Sequence, residues 1–258
     1  MKINKKYISE TIYIFYNFIT YLYNFFFSKF EEIFLKKNFV KNHKLNLEGY
    51  CKISNLNIPI IDVSKLEVNV VNKYYRRFIF NKLQIEELLK NIFIKNKLAD
   101  YILNATGFSY GIDYITAYET SHIEGQEKSN SWYANLPHVD KPFTKNTLKV
   151  IIPIQKISNL NGPMKILDIC KSKLYPKNIM INDYYQVTCD LNEVFVFFPN
   201  ICLHNAGVPE KGYFRQQIMI QLNPSRVWKI NKNIYYKQKK REPKFPIFSY
   251  LFDSRIKL

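Results

Sequence analysis

The chain contains four histidines, and two of them are followed two residues later by a carboxylate. One such pair is His138 and Asp140. Residues two apart in an extended strand project on the same face, so this pair presents an imidazole and a carboxylate to one point. Both groups bind first-row transition metals, and the pair therefore predicts part of a metal site.

The other pair, His122 and Glu124, lies in the polar stretch SHIEGQEKSNS, which is typical of a loop. His138 instead follows the segment WYANL and precedes a long apolar strand. We therefore predict that His138 and Asp140 bind the metal and that the loop 121–131 forms a lid over the site.

A third ligand is predicted at His204, which follows the apolar run EVFVFFP. This residue comes beside His138 only if the sheet rolls over on itself. Two histidines and one carboxylate then occupy one face of an octahedron and leave three positions open, as in non-haem Fe(II) oxygenases.

Arg215 is one of only six arginines in a chain with 32 lysines. It begins an alternating strand in which Gln217 and Met219 share its face. Lysine is the usual exposed cation of this chain, so an arginine on this face is expected to point inward and bind a carboxylate through paired N–H donors. A surface or salt-bridge role for Arg215 remains the alternative.

The elements that must position these residues are mainly strands. Strand-like runs occur at 112–119, 147–156, 163–168, 183–189, 193–198 and 214–222. Short turns rich in Asn, Asp, Gly and Pro join them without helical crossovers, which indicates an antiparallel sandwich or barrel. Amphipathic helices are predicted at 82–95, after Asn81 as N-cap, and at 97–105.

The predicted fold is mainly β with flanking helices (α+β), built on a double-stranded β-helix, a cupin-like jelly roll. We divide the chain into an aromatic amphipathic helical segment at 1–45, a helical flank at 46–110, a jelly-roll core at 111–225 and a basic C-terminal extension at 226–258.

Taken in order, these residues resemble the phytanoyl-CoA dioxygenase family of Fe(II)/2-oxoglutarate oxygenases. The resemblance covers residues 105–225. It is carried by His138-Val139-Asp140, by Asn161-Gly162-Pro163 after a strand, by His204 after an apolar strand, and by Arg215 eleven residues later.

The resemblance implies that His138, Asp140 and His204 bind Fe(II) and that Arg215 pairs with the distal carboxylate of 2-oxoglutarate, the co-substrate used with O2. Tyr133 and Gln217 are further candidate contacts of the co-substrate. The implied reaction is hydroxylation of an organic substrate with decarboxylation of 2-oxoglutarate to succinate.

The 258 residues carry 38 Lys and Arg against 21 Asp and Glu, a formal charge of +17. This excess indicates either a lysine-rich soluble surface or attraction to an anionic partner, such as a phosphorylated, carrier-linked or nucleotide-linked molecule or a membrane. Nucleic acid is not expected as a partner, because its recognition favours arginine forks and clustered basic elements. The four cysteines form no CxxC pair and favour a reducing, cytoplasmic location.

Residues 11–28 carry no charge. Polar residues recur there and just beyond at helical spacing: Asn17, Thr20, Asn24, Ser28 and Glu31. The pattern predicts an aromatic helix with one polar stripe. Such a helix packs on the protein's own core or on a dimer mate, or contacts a membrane peripherally through residues 8–35; a membrane span fits the stripe less well. The oligomeric state stays open.

Two other functions remain as alternatives to the oxygenase. One is a cupin-type metal enzyme that does not use 2-oxoglutarate, which would not need Arg215. The other is a catalytically silent jelly-roll binding or membrane-surface module, which the aromatic N-terminal segment favours.

Overall fold

The structure is a computed structural model, and it describes residues 22, 25–125, 127, 134–140, 144–174, 183–235 and 255–257. In these ranges two β-sheets pack against each other, and helices cover the outer face of the larger one. The architecture is the predicted jelly roll with flanking helices.

The larger sheet contains nine of the described strands in the order β1-β8-β5-β10-β4-β11-β12, with the hairpin β2–β3 joined to β4 through β3. The smaller sheet has the order β7-β6-β9. The strands are β1 Tyr50–Ile53, β2 Glu67–Asn72, β3 Tyr75–Ile79, β4 Ser109–Ser121, β5 Leu148–Pro153, β6 Met164–Ile166, β7 Tyr185–Val187, β8 Val194–Phe197, β9 His204–Asn205, β10 Phe214–Ser225, β11 Lys229–Asn231 and β12 Arg255–Lys257. All pairings are antiparallel except β11 with β4. All six predicted strands are present.

Five α-helices lie in the described ranges. They are α1, which includes residues 25–34, α2 Lys44–Glu48, α3 Lys82–Leu89, α4 Leu98–Thr106 and α5 Ile169–Leu174. Asn81 caps α3 as predicted, because its side chain accepts from the Gln84 N–H while the Gln84 side chain accepts from the Asn81 N–H. A π-helical turn, Lys90–Lys95, continues α3 over the rest of the predicted helix. None of the helices in this part of the chain has the length and apolarity needed to cross a bilayer.

The two faces of β10 differ in chemistry, and this difference separates the core from the site. Ile218, Ile220 and Leu222 are fully buried in the large apolar core together with α3 and α4. Arg215 and Gln217 lie on the opposite face, toward the smaller sheet, and are also buried. The helices therefore stabilise the sheet from one side and leave its polar side for a cavity.

The outer parts of the chain add strands that the sequence did not predict. The range 46–110, predicted as a helical flank, contains the end of α2 and all of α3 and α4, but it also contributes β1, β2 and β3 to the large sheet. Strand β2 has the short sequence EVNVVN, and its alternating valines Val68 and Val70 are exposed, so they do not form a buried face. In the range 226–258, β11 and β12 extend the same sheet.

Gly162 and Gly207 mark a close crossing of two backbone segments beside the smaller sheet. Gly162 has a φ of +63°, and a Cβ there would lie 2.3 Å from the backbone of Val208 and Pro209. A Cβ on Gly207 would lie 2.3 Å from the Pro163 carbonyl oxygen. The Asn-Gly-Pro turn singled out in the sequence therefore packs directly on the chain that follows His204.

We expect Gly162→Ala to destabilise the protein by about 2–4 kcal/mol, because it combines a left-handed backbone with a backbone clash. Gly212→Ala is the matched control, since Gly212 has a φ of +86° with no atom within 4 Å of a built Cβ; it should cost only about 1–2 kcal/mol. Urea denaturation of both variants measures the difference, and equal losses would contradict the proposed packing role of Gly162.

Candidate metal centre

Backbone pairing brings His138 and His204 together. The two residues form an isolated antiparallel bridge in which each N–H donates to the other's carbonyl oxygen at 3.0 Å. Their imidazole rings lie 4.5 Å apart between centroids. The Asp140 N–H donates to the Pro199 carbonyl at 2.8 Å, which fixes the chain two residues beyond His138. The rolled sheet therefore unites the three residues predicted as ligands.

The potential donor atoms of these three residues converge. Asp140 Oδ1 lies 3.5 Å from His138 Nε2 and 3.9 Å from His204 Nε2. One ligand atom from each residue lies within 4.8 Å of the others, and this is the cluster of metal-binding side chains found in the described ranges. Asp140 and His204 are buried, whereas His138 is partly exposed.

Hydrogen bonds to the far side of each ring orient both imidazoles. His138 Nδ1 lies 2.8 Å from the Leu136 carbonyl oxygen, and His204 Nδ1 lies 2.9 Å from that of Cys202. A carbonyl oxygen only accepts, so each Nδ1 carries the proton and each Nε2 presents a lone pair toward Asp140. Such partners are typical of histidines that bind metals.

Lys149 forms a buried ion pair with Asp140. Its Nζ contacts Oδ2 of the carboxylate, so the other oxygen, Oδ1, is the one that faces the histidines. Burial by itself would raise the pKa of Asp140, but the positive charge of Lys149 outweighs it and holds the pKa well below its ordinary value. Asp140 is therefore ionised and suited to binding a cation.

Burial lowers the pKa of His204 to about 4, and the opposing attraction of Asp140 offsets this only in part. The imidazole is therefore neutral at physiological pH, which is the state that binds metals.

A cavity of about 320 Å³ opens beside the three residues, between the polar face of the large sheet and the smaller sheet. Arg215 lines it and is only 1% exposed, with Nη1 donating to the Gly207 carbonyl oxygen at 3.1 Å. The cavity wall also carries the cations Lys149 and Arg77. Among the described residues that line it, Asp140 is the acidic side chain. The cavity is thus suited to an anionic ligand.

The remaining residues predicted for the site, and the two other histidines, lie at different distances from it. Gln217 lines the cavity and donates through Nε2 to the Tyr118 hydroxyl. Tyr133 lies outside the described residues, as does part of the predicted lid at 121–131. His122 Nδ1 bonds the Pro209 carbonyl at 2.7 Å, and His43 caps α2, so neither histidine belongs to the cluster.

Lys149, Tyr75 and Arg77 are among the cavity residues that were not predicted from the sequence. Lys149 interrupts the apolar strand β5, and that lone cation among apolar residues was the available signal. Tyr75 and Arg77 come from β3, which was not predicted as a strand; the Arg77 Nε donates to the Tyr75 hydroxyl at 3.3 Å. Burial and the neighbouring Tyr118 raise the pKa of Tyr75 to about 12, so its hydroxyl stays protonated.

No protein-family model matches the sequence, and no curated protein matches it. Solved structures with a similar fold include a non-heme alpha-ketoglutarate-dependent epimerase, SnoN from nogalamycin biosynthesis, at 11% identity and a TM-score of 0.49, covering 70% of this chain and 79% of that one. HygX from Streptomyces hygroscopicus, with nickel and 2-oxoglutarate bound, has 7% identity and a TM-score of 0.45 over 70% of this chain and 84% of its own. The non-heme monooxygenase ThoJ, in a nickel complex, has 10% identity and a TM-score of 0.45, with coverages of 70% and 76%. Likenesses this distant carry no chemistry over to this chain.

The metal-free protein should lose stability as the pH falls from about 6.5 to 4. In the unfolded chain the His204 imidazole binds its proton near pH 6.5, whereas in the folded protein it does so only near 4. Protonation across this window therefore favours unfolding, by on the order of 3 kcal/mol. The pKa of Asp140 is lowered in the folded protein, so Asp140 adds to the loss of stability only at the acidic end of this window, where the unfolded carboxylate begins to bind its proton.

Thermal melting at several pH values measures this effect, with His204→Gln as the comparison. The variant should show a shallower dependence, retaining the smaller slope due to His43, whose pKa burial also lowers. Identical slopes in the two proteins would rule out His204 as the source.

We expect Lys149→Met to destabilise the metal-free protein by about 3–5 kcal/mol, because it leaves the buried Asp140 carboxylate without a counter-charge. A bound divalent cation would supply that charge, so Ni(II) should raise the midpoint of denaturation more in the variant than in the wild type. Lys149→Arg keeps the charge and is the control. Equal increases in all three denaturation midpoints on addition of Ni(II) would contradict the role of Lys149 as the counter-charge of Asp140.

Proposed function

We propose that this protein is a non-haem Fe(II)- and 2-oxoglutarate-dependent dioxygenase that hydroxylates a small or carrier-linked organic substrate. One observation carries the proposal: two imidazole Nε2 atoms and one carboxylate oxygen converge at the wall of a cavity that also contains a buried arginine. Two histidines and a carboxylate form the facial set that binds Fe(II) and leaves positions open.

The chain's own residues have distinct tasks in this function. His138, His204 and Oδ1 of Asp140 would hold the metal, while Lys149 keeps the second carboxylate oxygen turned away from it. Arg215 supplies a desolvated guanidinium for the distal carboxylate of 2-oxoglutarate. Its contact with the Gly207 carbonyl fixes the guanidinium in the cavity wall before any ligand binds. When bound, Fe(II) with 2-oxoglutarate supplies the chemistry that couples O2 to hydroxylation and yields succinate and CO2.

Within this class, we infer a relationship to the phytanoyl-CoA dioxygenase family. The support is the order of the ligand pair, the turn Asn161-Gly162-Pro163, His204 and Arg215 along the chain. The structure gives this turn a mechanical role, since Gly162 packs on the segment that follows His204. The excess of cations on the cavity wall supports an anionic substrate, with Arg77 as its candidate contact beyond the co-substrate.

We also propose a reducing, cytoplasmic location. All four cysteines are free thiols. Burial raises the pKa of Cys51 to about 11, and those of Cys189 and Cys202 to about 12, so these three behave as unreactive apolar residues.

A catalytically silent binding module is the second candidate. The observation in its favour is the ion pair of Lys149 with Asp140, which neutralises the carboxylate without a metal. A metal titration separates this candidate from the oxygenase.

The test is an anaerobic titration with Fe(II) and then 2-oxoglutarate, following the weak visible absorption of the ferrous chelate, which is expected at about 500 nm. Arg215→Gln should bind Fe(II) like the wild type but lower the affinity for 2-oxoglutarate by about a hundredfold, because the carboxylate loses its buried charged partner. Arg226→Gln, at an exposed arginine, is the matched control and should change neither affinity.

Each failure of this titration has its own meaning. Fe(II) binding without the 2-oxoglutarate band would overturn the dioxygenase and favour a cupin-type metal enzyme. A lack of Fe(II) binding would favour the silent module. Equal 2-oxoglutarate affinities in wild type and Arg215→Gln would remove Arg215 from the site.

A further inference from the structure

The outward face of helix α1 is apolar. Five large side chains on this helix are exposed: Phe25 by 52%, Phe26 by 61%, Phe30 by 50%, Ile33 by 72% and Phe34 by 60%. At 100° per residue they occupy one half of the helix, and the Phe30 and Phe34 rings contact each other at 4.6 Å between centroids. A contiguous apolar patch of this kind on a surface indicates a binding site.

The inward face of the same helix is polar and firmly held. Ser28 and Glu31 are each only 1% exposed. Glu31 Oε2 accepts from Thr144 Oγ1 at 2.7 Å and from Asn146 Nδ2 at 2.9 Å. Ser28 Oγ accepts from the Lys145 N–H at 3.0 Å. These bonds fix the rotation of the helix about its axis.

Helix α1 is therefore oriented opposite to an ordinary surface helix, which buries its apolar stripe and exposes its polar one. Rotation by half a turn would bury the phenylalanines, but it would break the buried contacts of Glu31 with Thr144 and Asn146. The aromatic face of α1 therefore stays exposed to water, and the hydrophobic effect favours a binding partner that covers it.

The net charge of residues 1–44 favours an anionic membrane surface as the cover of this face. Residues 1–44 contain eight lysines and three glutamates, so their formal charge is 8 − 3 = +5. Glu31 is buried, and Glu32 pairs with Lys29 and Lys145. Lys29 lies on the aromatic face itself and is exposed. Aromatic side chains with surrounding lysines are the composition of interfacial helices, whereas a second copy of this chain would bring like charges together.

The sequence extends the same pattern upstream. Asn17, Thr20 and Asn24 are in helical phase with Ser28 and Glu31, which are the residues that face the protein. The remaining positions of 11–24 are mostly aromatic or aliphatic and carry no charge.

We propose that α1 docks the protein on anionic membranes, with its aromatic face among the lipid headgroups and its polar face on the jelly roll. This proposal is independent of the metal centre and does not rest on the dioxygenase function.

The test is co-sedimentation of the full chain with vesicles of phosphatidylcholine, with and without phosphatidylserine. The variant Phe26→Gln/Phe30→Gln/Phe34→Gln changes only exposed positions, and the glutamines that it introduces are good helix formers. Its matched control, Ile60→Gln/Leu83→Gln/Leu174→Gln, removes three large apolar side chains that are exposed elsewhere. We expect the α1 variant to lower the partition coefficient on phosphatidylserine vesicles at least about tenfold, and the control to leave it unchanged.

A fluorescence measurement on a single-residue variant makes the test independent of how the triple variant folds. In Phe30→Trp, brominated phosphatidylcholine mixed with phosphatidylserine should quench the fluorescence of the introduced tryptophan, beyond any quenching in the wild type. Absence of wild-type binding, equal binding of the α1 variant, or unquenched fluorescence of the introduced tryptophan overturns the proposal. A wild-type dimer that the α1 variant converts to monomer, without lipid binding, would also overturn it and assign the face to a second copy.

Discussion

Two backbone hydrogen bonds between His138 and His204 are the constraint on which the candidate site depends. They join residues that are far apart in sequence, and His204 is also the first residue of β9. The smaller sheet holds one side of this bridge, because β9 pairs with β6. The crossing at Gly162 and Gly207 then determines the path of the chain beyond it. Two glycines, a short strand and one bridge thus set the position of two imidazole rings.

The alternation of β10 explains how a stable fold and a charged cavity share one sheet. Its apolar side chains pack under α3 and α4, where burial drives folding. The pleat directs its polar side chains to the opposite face of the sheet. Because Ile218 and Ile220 are buried on the core face, Arg215 is buried on the cavity face. The apolar burial on the core face of the sheet offsets the free-energy cost of desolvating the guanidinium of Arg215.

Much of this arrangement could be predicted from the sequence. The strands around the site alternate or are continuously apolar, so the convergence of His138, Asp140 and His204 followed from residue type and strand order. Lys149 could not be assigned, because only the rolled sheet shows that its charge meets Asp140. The polar stripe through Ser28 and Glu31 was predictable, but its inward orientation was not, because it depends on Thr144, 113 residues from Glu31.

The ion pair of Lys149 with Asp140 also bears on how such a protein is made in the cell. A carboxylate that already has its counter-charge does not delay folding until a metal arrives, so the chain can leave the ribosome and reach its native state in iron-poor conditions. In the dioxygenase that we propose, iron supply would then decide what fraction of the folded protein is active rather than how much protein survives proteolysis. Metal loading would then be a late and reversible step of maturation, separate from synthesis.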